Sequence, residues 1–268
     1  MADHSSKIDR LSIRKRPTGL PLMRQHWGKL LFIHWPIRAD LLRPLVPSQL
    51  SIDTFDGTAW IGLVPFTMWR IRASFLPPIP GTNEFHELNV RTYVHYQGTP
   101  GVWFFSLDAA NSLAVWGART FYYLPYFHAK MELREKGSVI NYNSQRADEM
   151  TYQNFFANDR GAFSDLEIGS NVPQAKLQAQ WMIGEPQSQS TADSLTFFLT
   201  ERYCLYSIHR SRVYRARIFH EPWPLRDARL EHLESTMIES LGLPSPEGTP
   251  MLNYAEMIDV DIWPLRKV

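Results

Sequence analysis

The nine residues from Glu87 to His95, ELNVRTYVH, alternate polar and apolar side chains without a break. In an extended strand successive side chains point to opposite faces. One face of this segment therefore carries Glu87, Asn89, Arg91, Tyr93 and His95, and the other carries Leu88, Val90, Thr92 and Val94. A second segment, YFHAKMELR from Tyr126 to Arg134, has the same pattern, with Tyr126, His128, Lys130, Glu132 and Arg134 forming its polar row. Alternation by itself is satisfied most simply when the polar row faces water and the apolar row faces the core. The other solution is a sheet closed on itself, with part of each polar row lining the interior, where buried charges need partners. Glu87 and Arg91 lie about 13 Å apart along a strand, so they meet different groups or flank a ligand rather than neutralise each other.

Outward from these two segments, further strands are expected at Lys29–Trp35, Trp60–Arg72, Val102–Leu107 and Cys204–Phe219, with a short one at DIWPL near the end. Helices are fewer. Ala39–Val46 fits a short one. Asn111–Tyr122 begins at a good N-cap and stops before Pro125. Asp227–Leu241, DARLEHLESTMIESL, has apolar residues at helical spacing and Gly242 as a stop signal. FLPPIPGTNEF, residues 75–85, is the clearest loop, because Pro77, Pro78, Pro80 and Gly81 oppose regular pairing. These elements describe an α+β, mostly β chain with a few peripheral helices. It is expected to form one domain over residues 21–268 after a flexible polar tail at 1–20.

Composition narrows the function classes. The 268 residues are 44% hydrophobic and 13% aromatic, enough for a full core. The formal net charge of +1 supplies no global field for nucleic acid or an anionic membrane, and neither is expected as a partner. No apolar run approaches the ~20 residues of a membrane-spanning helix, and the N-terminus has no apolar leader core. The single cysteine, Cys204, excludes an internal disulfide framework and sits in an apolar run, as a packed thiol would. A cytoplasmic location is expected. The nine histidines include no paired ligand spacing, so no metal site is expected. No glycine-rich phosphate loop, dinucleotide fingerprint or nucleophile elbow occurs, and no cofactor is expected. EPWPL, Glu221–Leu225, reads as a rigid turn with Trp223 as a plug, and Trp27, Trp60, Trp103 and Trp116 read as core.

Several stretches carry a resemblance in combination: LLFIHWPIRADLLRPLVPSQLSIDTFDG (30–57), VPFTMW (64–69), ELNVRTYV (87–94), GVWFFSLDAAN (101–111), LPYFHAKM (124–131), ERYCLY (201–206) and HEPWPL (220–225). Together they resemble the YqjF-like bacterial family, a conserved domain of unknown function, DUF2071. That family is in turn distantly similar to acetoacetate decarboxylase-like proteins, which implies a closed, β-barrel-like single domain with an internal cavity. GARTFYYLPYF, residues 117–127, resembles the decarboxylase segment that ends in Pro-Lys-Lys, with Arg119 and Pro125 matching. The lysine pair is replaced by Tyr126 and Phe127, and the glutamate after the arginine by Thr120. Glu87 stands at the spacing of the family's cavity glutamate, whereas its N-terminal arginine has no counterpart beside Gly28 and Lys29.

Decarboxylation through an imine needs an unprotonated amine to attack a ketone. The resemblance therefore implies an inherited cavity without the inherited amine, unless Lys130, on the same face as Tyr126, supplies a shifted one. The expected ligand is a small carbonyl- or carboxylate-type molecule. Glu87 and Tyr126 are the candidate proton-handling pair, with Asn89, Arg91, Arg119 and His128 around the ligand. The sequence leaves three roles open: an enzyme, a small-ligand binding or sensing module without turnover, and a structural protein. A homo-oligomer fits the last, since related folds assemble into multimers.

Overall fold

The computed structural model describes residues 8–75, 77, 84–166 and 172–268. Its strands are β1 (Met23–Ile37), β2 (Ser51–Ile52), β3 (Ala59–Ala73), β4 (Glu84–Tyr96), β5 (Thr99–Ala109), β6 (Tyr126–Lys136), β7 (Val139–Arg146), β8 (Lys176–Pro186), β9 (Cys204–His209), β10 (Arg212–Phe219), β11 (Leu225–Ser235), β12 (Met251–Ile262) and β13 (Arg266–Lys267). Among the described residues four short α-helices punctuate them: α1 (Ala39–Leu42), α2 (Ser112–Tyr122), α3 (Tyr152–Phe155) and α4 (Leu195–Thr200). The mostly β architecture expected from the sequence is the one observed.

Strand pairing closes on itself. From β1 the neighbours run through β3, β4, β5, β6, β7, β8, β11 and β12 and back to β1. A side branch from β5 through β9 and β10 also returns to β12. Strands β1, β3 and β4 consequently have core on both faces. Leu31, Ile33, Leu63, Leu88 and Val90 belong to one buried cluster. Leu30, Phe32, Val64, Phe66 and Tyr93 belong to the other.

Local chemistry sets the element ends. The Asn111 side chain accepts from the backbone N–H groups of Leu113 and Ala114 at 3.1 and 3.0 Å, the expected N-cap of α2, worth about 1 kcal/mol. Cys204 is fully buried, and burial pushes its thiol up to about 12. The expected Cys204–Phe219 strand is two strands joined by a tight turn at Arg210 and Ser211, whose φ of 51° and 56° are left-handed without any glycine to announce them. Residues 9–16 are tied to the body of the fold. Arg10 pairs with Asp53, Ile13 is buried, and Arg217 Nη2 donates to the carbonyls of Ile13 and Lys15 at 2.6 and 2.9 Å.

The helix expected at Asp227–Leu241 is a correction. Residues 225–235 form strand β11, paired to β8, and only Glu239–Leu241 make a 3-10 turn, which Gly242 ends at φ 81°. The register of β11 against β8 slips between Leu230 and His232, so one extra residue resets the two-residue alternation. Ala228, Leu230 and Leu233 then share the partly buried face at spacings of two and three, which imitates a helical stripe. Trp116 is also unlike its expectation as a core residue, being 58% exposed on α2. Of the loop expected at 75–85, Pro78, Pro80 and Gly81 lie outside the described residues.

Candidate functional site

The polar row of β4 faces inward. Glu87, Asn89 and Arg91 are 2%, 5% and 8% exposed, and Tyr93 is fully buried. Register across the sheet places their neighbours on the same face. Arg91 lies opposite Gly62 of β3, and Gly62 lies opposite His34 of β1. Asn89 lies opposite Val64 and Glu87 opposite Phe66. On the other side of β1, Phe32 lies opposite Asn253 of β12. Gly62 has to be a glycine, because a Cβ there would meet the His34 ring at 2.6 Å.

At one end of the row the Tyr126 hydroxyl donates to Glu87 Oε2 at 2.6 Å. The two residues expected to handle protons together are thus in direct contact, brought there by the parallel pairing of β5 with the start of β6. Burial raises the Glu87 carboxyl to about 8. The bond from Tyr126 works against that rise, and the nearby Asp108 carboxylate adds to it. Burial and the acid beside it hold the Tyr126 phenol well above its usual range, so it stays a donor. Tyr142 fixes the backbone beneath, donating to the carbonyls of Glu87 and Phe66 at 2.8 and 3.2 Å.

Phe127 points to the opposite side of the wall. There Arg146 makes a two-pronged bond to Asp108, at 2.8 and 2.6 Å, with its guanidinium 4.0 Å from the centre of the Phe127 ring. Arg119, expected near the ligand, is partly exposed and hydrogen-bonded on two sides. Its Nε donates to the Tyr126 carbonyl at 2.6 Å and its Nη2 to Asp148 at 2.7 Å. It therefore positions Tyr126. His128 is half-buried, with its backbone N–H also on Asp148 at 2.9 Å, and Lys130 is exposed.

At the other end, Arg91 donates to the Leu199 carbonyl of α4 at 3.2 Å and stands over the Phe32 ring, 5.2 Å from its centre. Its Nε has no partner, and no carboxylate pairs with it among the described residues. The neighbouring Arg202 differs in having Asp53 at 2.7 Å. His34 and Tyr93, which sequence reasoning did not assign to the site, are joined by a 2.5 Å contact between the imidazole Nε2 and the phenol. Burial, with Arg91 and Arg202 adding to it, keeps His34 neutral by lowering its basicity far below the usual range. A histidine inside the apolar run LLFIHW was the available signal; the glycine across from it gives none.

Two surface concavities lie elsewhere. One of about 350 Å³ is lined by His26, Trp69, Arg70, Glu84 and Met257. Another of about 360 Å³ lies between Arg14, Lys15, Tyr203 and His220. Neither is lined by Glu87, Asn89 or Arg91. Among the described residues no group of histidine, cysteine, aspartate or glutamate is arranged to hold a metal, and no helix is long and apolar enough to cross a membrane.

Residues 24–259 match the profile of DUF2071, described as an uncharacterised conserved protein. The chain is 43% identical over 251 residues to the uncharacterised protein YqjF of Bacillus subtilis (strain 168), covering 94% of each. Among solved structures, the enduracididine biosynthesis enzyme MppR complexed with pyruvate aligns at TM-score 0.58 and 10% identity, over 94% of this chain and 93% of that one. Acetoacetate decarboxylase from Legionella pneumophila aligns at TM-score 0.57 and 12% identity, over 94% and 91%. Identities that low establish a shared fold and nothing finer.

Proposed function

This chain belongs to the DUF2071 family, and we propose that its interior polar row binds a small oxo acid without forming an imine. One observation carries the reading: a buried acid bonded to a tyrosine shares a strand face with a buried arginine that has no acid partner among the described residues, and burial raises that acid to about 8. Arg91 takes the ligand carboxylate in the geometry guanidinium favours. Protonated Glu87 keeps accepting from Tyr126 through Oε2 and has one O–H left to donate into the site. Arg119, bound to the Tyr126 carbonyl, holds the tyrosine in place. Support comes from the shared fold, since one solved structure with this architecture holds pyruvate.

The amine that decarboxylases use is replaced by Tyr126 and Phe127, and Lys130 faces outward, so the carbonyl is polarised by hydrogen bonds rather than converted to an imine. Calorimetric titration with pyruvate and acetoacetate tests this. Binding is expected to be constant up to pH 7 and to weaken about tenfold per unit above pH 8, as Glu87 ionises beside an anionic ligand. Glu87→Gln should bind more weakly and lose that pH dependence, and Arg91→Met should lose at least about tenfold in affinity. Absence of binding by either acid, or a borohydride-trapped adduct on Lys130, overturns the reading.

A further inference from the structure

The Arg91 end of the site carries more hydrogen-bonding demand than a plain oxo acid can meet. Tyr93 Oη lies 2.7 Å from the Leu199 carbonyl and 2.5 Å from His34 Nε2. A carbonyl only accepts, and two oxygens that close need a proton between them, so the Tyr93 proton belongs to Leu199. His34 must then donate from Nε2 to Tyr93, which leaves Nδ1 as a bare acceptor. That Nδ1 is buried and has no partner among the described residues. Two more buried acceptors, Asn89 Oδ1 and Asn253 Oδ1, are equally unmatched among the described residues, as are two donors, Arg91 Nε and Trp223 Nε1.

Four of these five groups lie around one side chain, that of Phe32. The His34 ring stacks on Phe32 at 5.9 Å, Trp223 meets it edge-on at 5.1 Å, Arg91 stands over it at 5.2 Å, and Asn253 is its cross-strand neighbour. Asn89 is the next inward residue from Arg91 along β4. An unmatched buried polar atom is costly, and a ligand that matches it recovers that cost as affinity. Carboxylate oxygens match Arg91 and Trp223. The three acceptors require donors, which neither a carboxylate nor a ketone possesses.

We infer that the ligand is a hydroxylated oxo acid, whose hydroxyl groups donate to His34 Nδ1 and the Asn89 and Asn253 amide oxygens while its carbon chain packs on Phe32. This rests on the oxo-acid reading of the same site and specifies its substrate class. The test compares 2-oxobutanoate with 4-hydroxy-2-oxobutanoate by calorimetry on the full chain at pH 7. The hydroxylated acid should bind about tenfold tighter, one matched buried hydrogen bond's worth. The single added hydroxyl meets one acceptor, so the preference should shrink to about threefold or less in one of Asn89→Leu, His34→Phe and Asn253→Leu, each checked for folding by thermal melting; the wild-type comparison needs none of them. Equal affinity for the two acids, with the loss above pH 8 intact, overturns this inference and leaves the oxo-acid reading standing. Binding of neither acid sinks both. A preference that survives in all three variants also overturns it, since the hydroxyl is then read elsewhere.

Discussion

Strands β4 and β6 begin from nearly the same pattern and end in opposite environments. In β4 the polar row is inside, and its apolar row is inside as well, because β4 is flanked by core on both faces. In the polar row of β6 only Tyr126 and the half-buried His128 reach toward the interior. Beyond them Lys130, Glu132 and Arg134 are exposed, and Arg134 is bonded to Glu132 at 2.7 Å across the strand surface. Alternation reports which side chains share a face and says nothing about which face is wet. The location of the strand in the closed sheet decides that, and the decision falls within β6 itself, a few residues after the chain leaves α2.

The contrast can be broken most forcefully at Glu87. Its carboxyl titrates at about 8 in the folded chain against an ordinary 4.5 when exposed. Below pH 4.5 both states are protonated and the group contributes nothing. Between 4.5 and 8 the unfolded chain releases a proton that the native one retains, so stability falls as pH rises, and above 8 the loss is complete. Glu87→Gln should therefore be more stable than wild type by up to about 5 kcal/mol at pH 8 and equal to it at pH 4, read from urea midpoints. The matching change in β6, Glu132→Gln, should leave the two pH curves superimposed.

A smaller effect is expected at the pair that backs the wall. Asp108→Ala strands the buried Arg146 and should cost about 3 kcal/mol in urea unfolding. The smallest is on the wet face. Lys130→Ala should change stability by no more than about 0.5 kcal/mol and leave oxo-acid affinity unaltered. A large loss of affinity there would place part of the site on the outer face and erase the distinction between the strands.

How much of this was legible in the sequence varies residue by residue. The β4 rows, the Asn111 cap and the Glu87–Tyr126 pairing were readable, the last through resemblance rather than spacing. The β11 segment was not, since a single extra residue near Leu230 turns alternation into a helix-like stripe. Arg119 kept its expected neighbourhood but serves the backbone of Tyr126, a role that residue type alone cannot announce. His34 was hidden because its importance depends on Gly62, a residue remote in sequence that contributes only space.

The pairing of β1 with β12 also governs how the chain reaches this state. Met23 is registered against Ile262, so the ring closes only by joining segments from nearly opposite ends of the chain. Contacts so remote carry a large loop-closure entropy before any reward, and folding is expected to be slow for the size. Until β12 arrives, β1 shows an unpaired edge rich in aromatic and branched residues, the kind of edge that recruits other chains. During synthesis the nascent protein must therefore carry an open, adhesive seam for most of its length, and β12 is its closure.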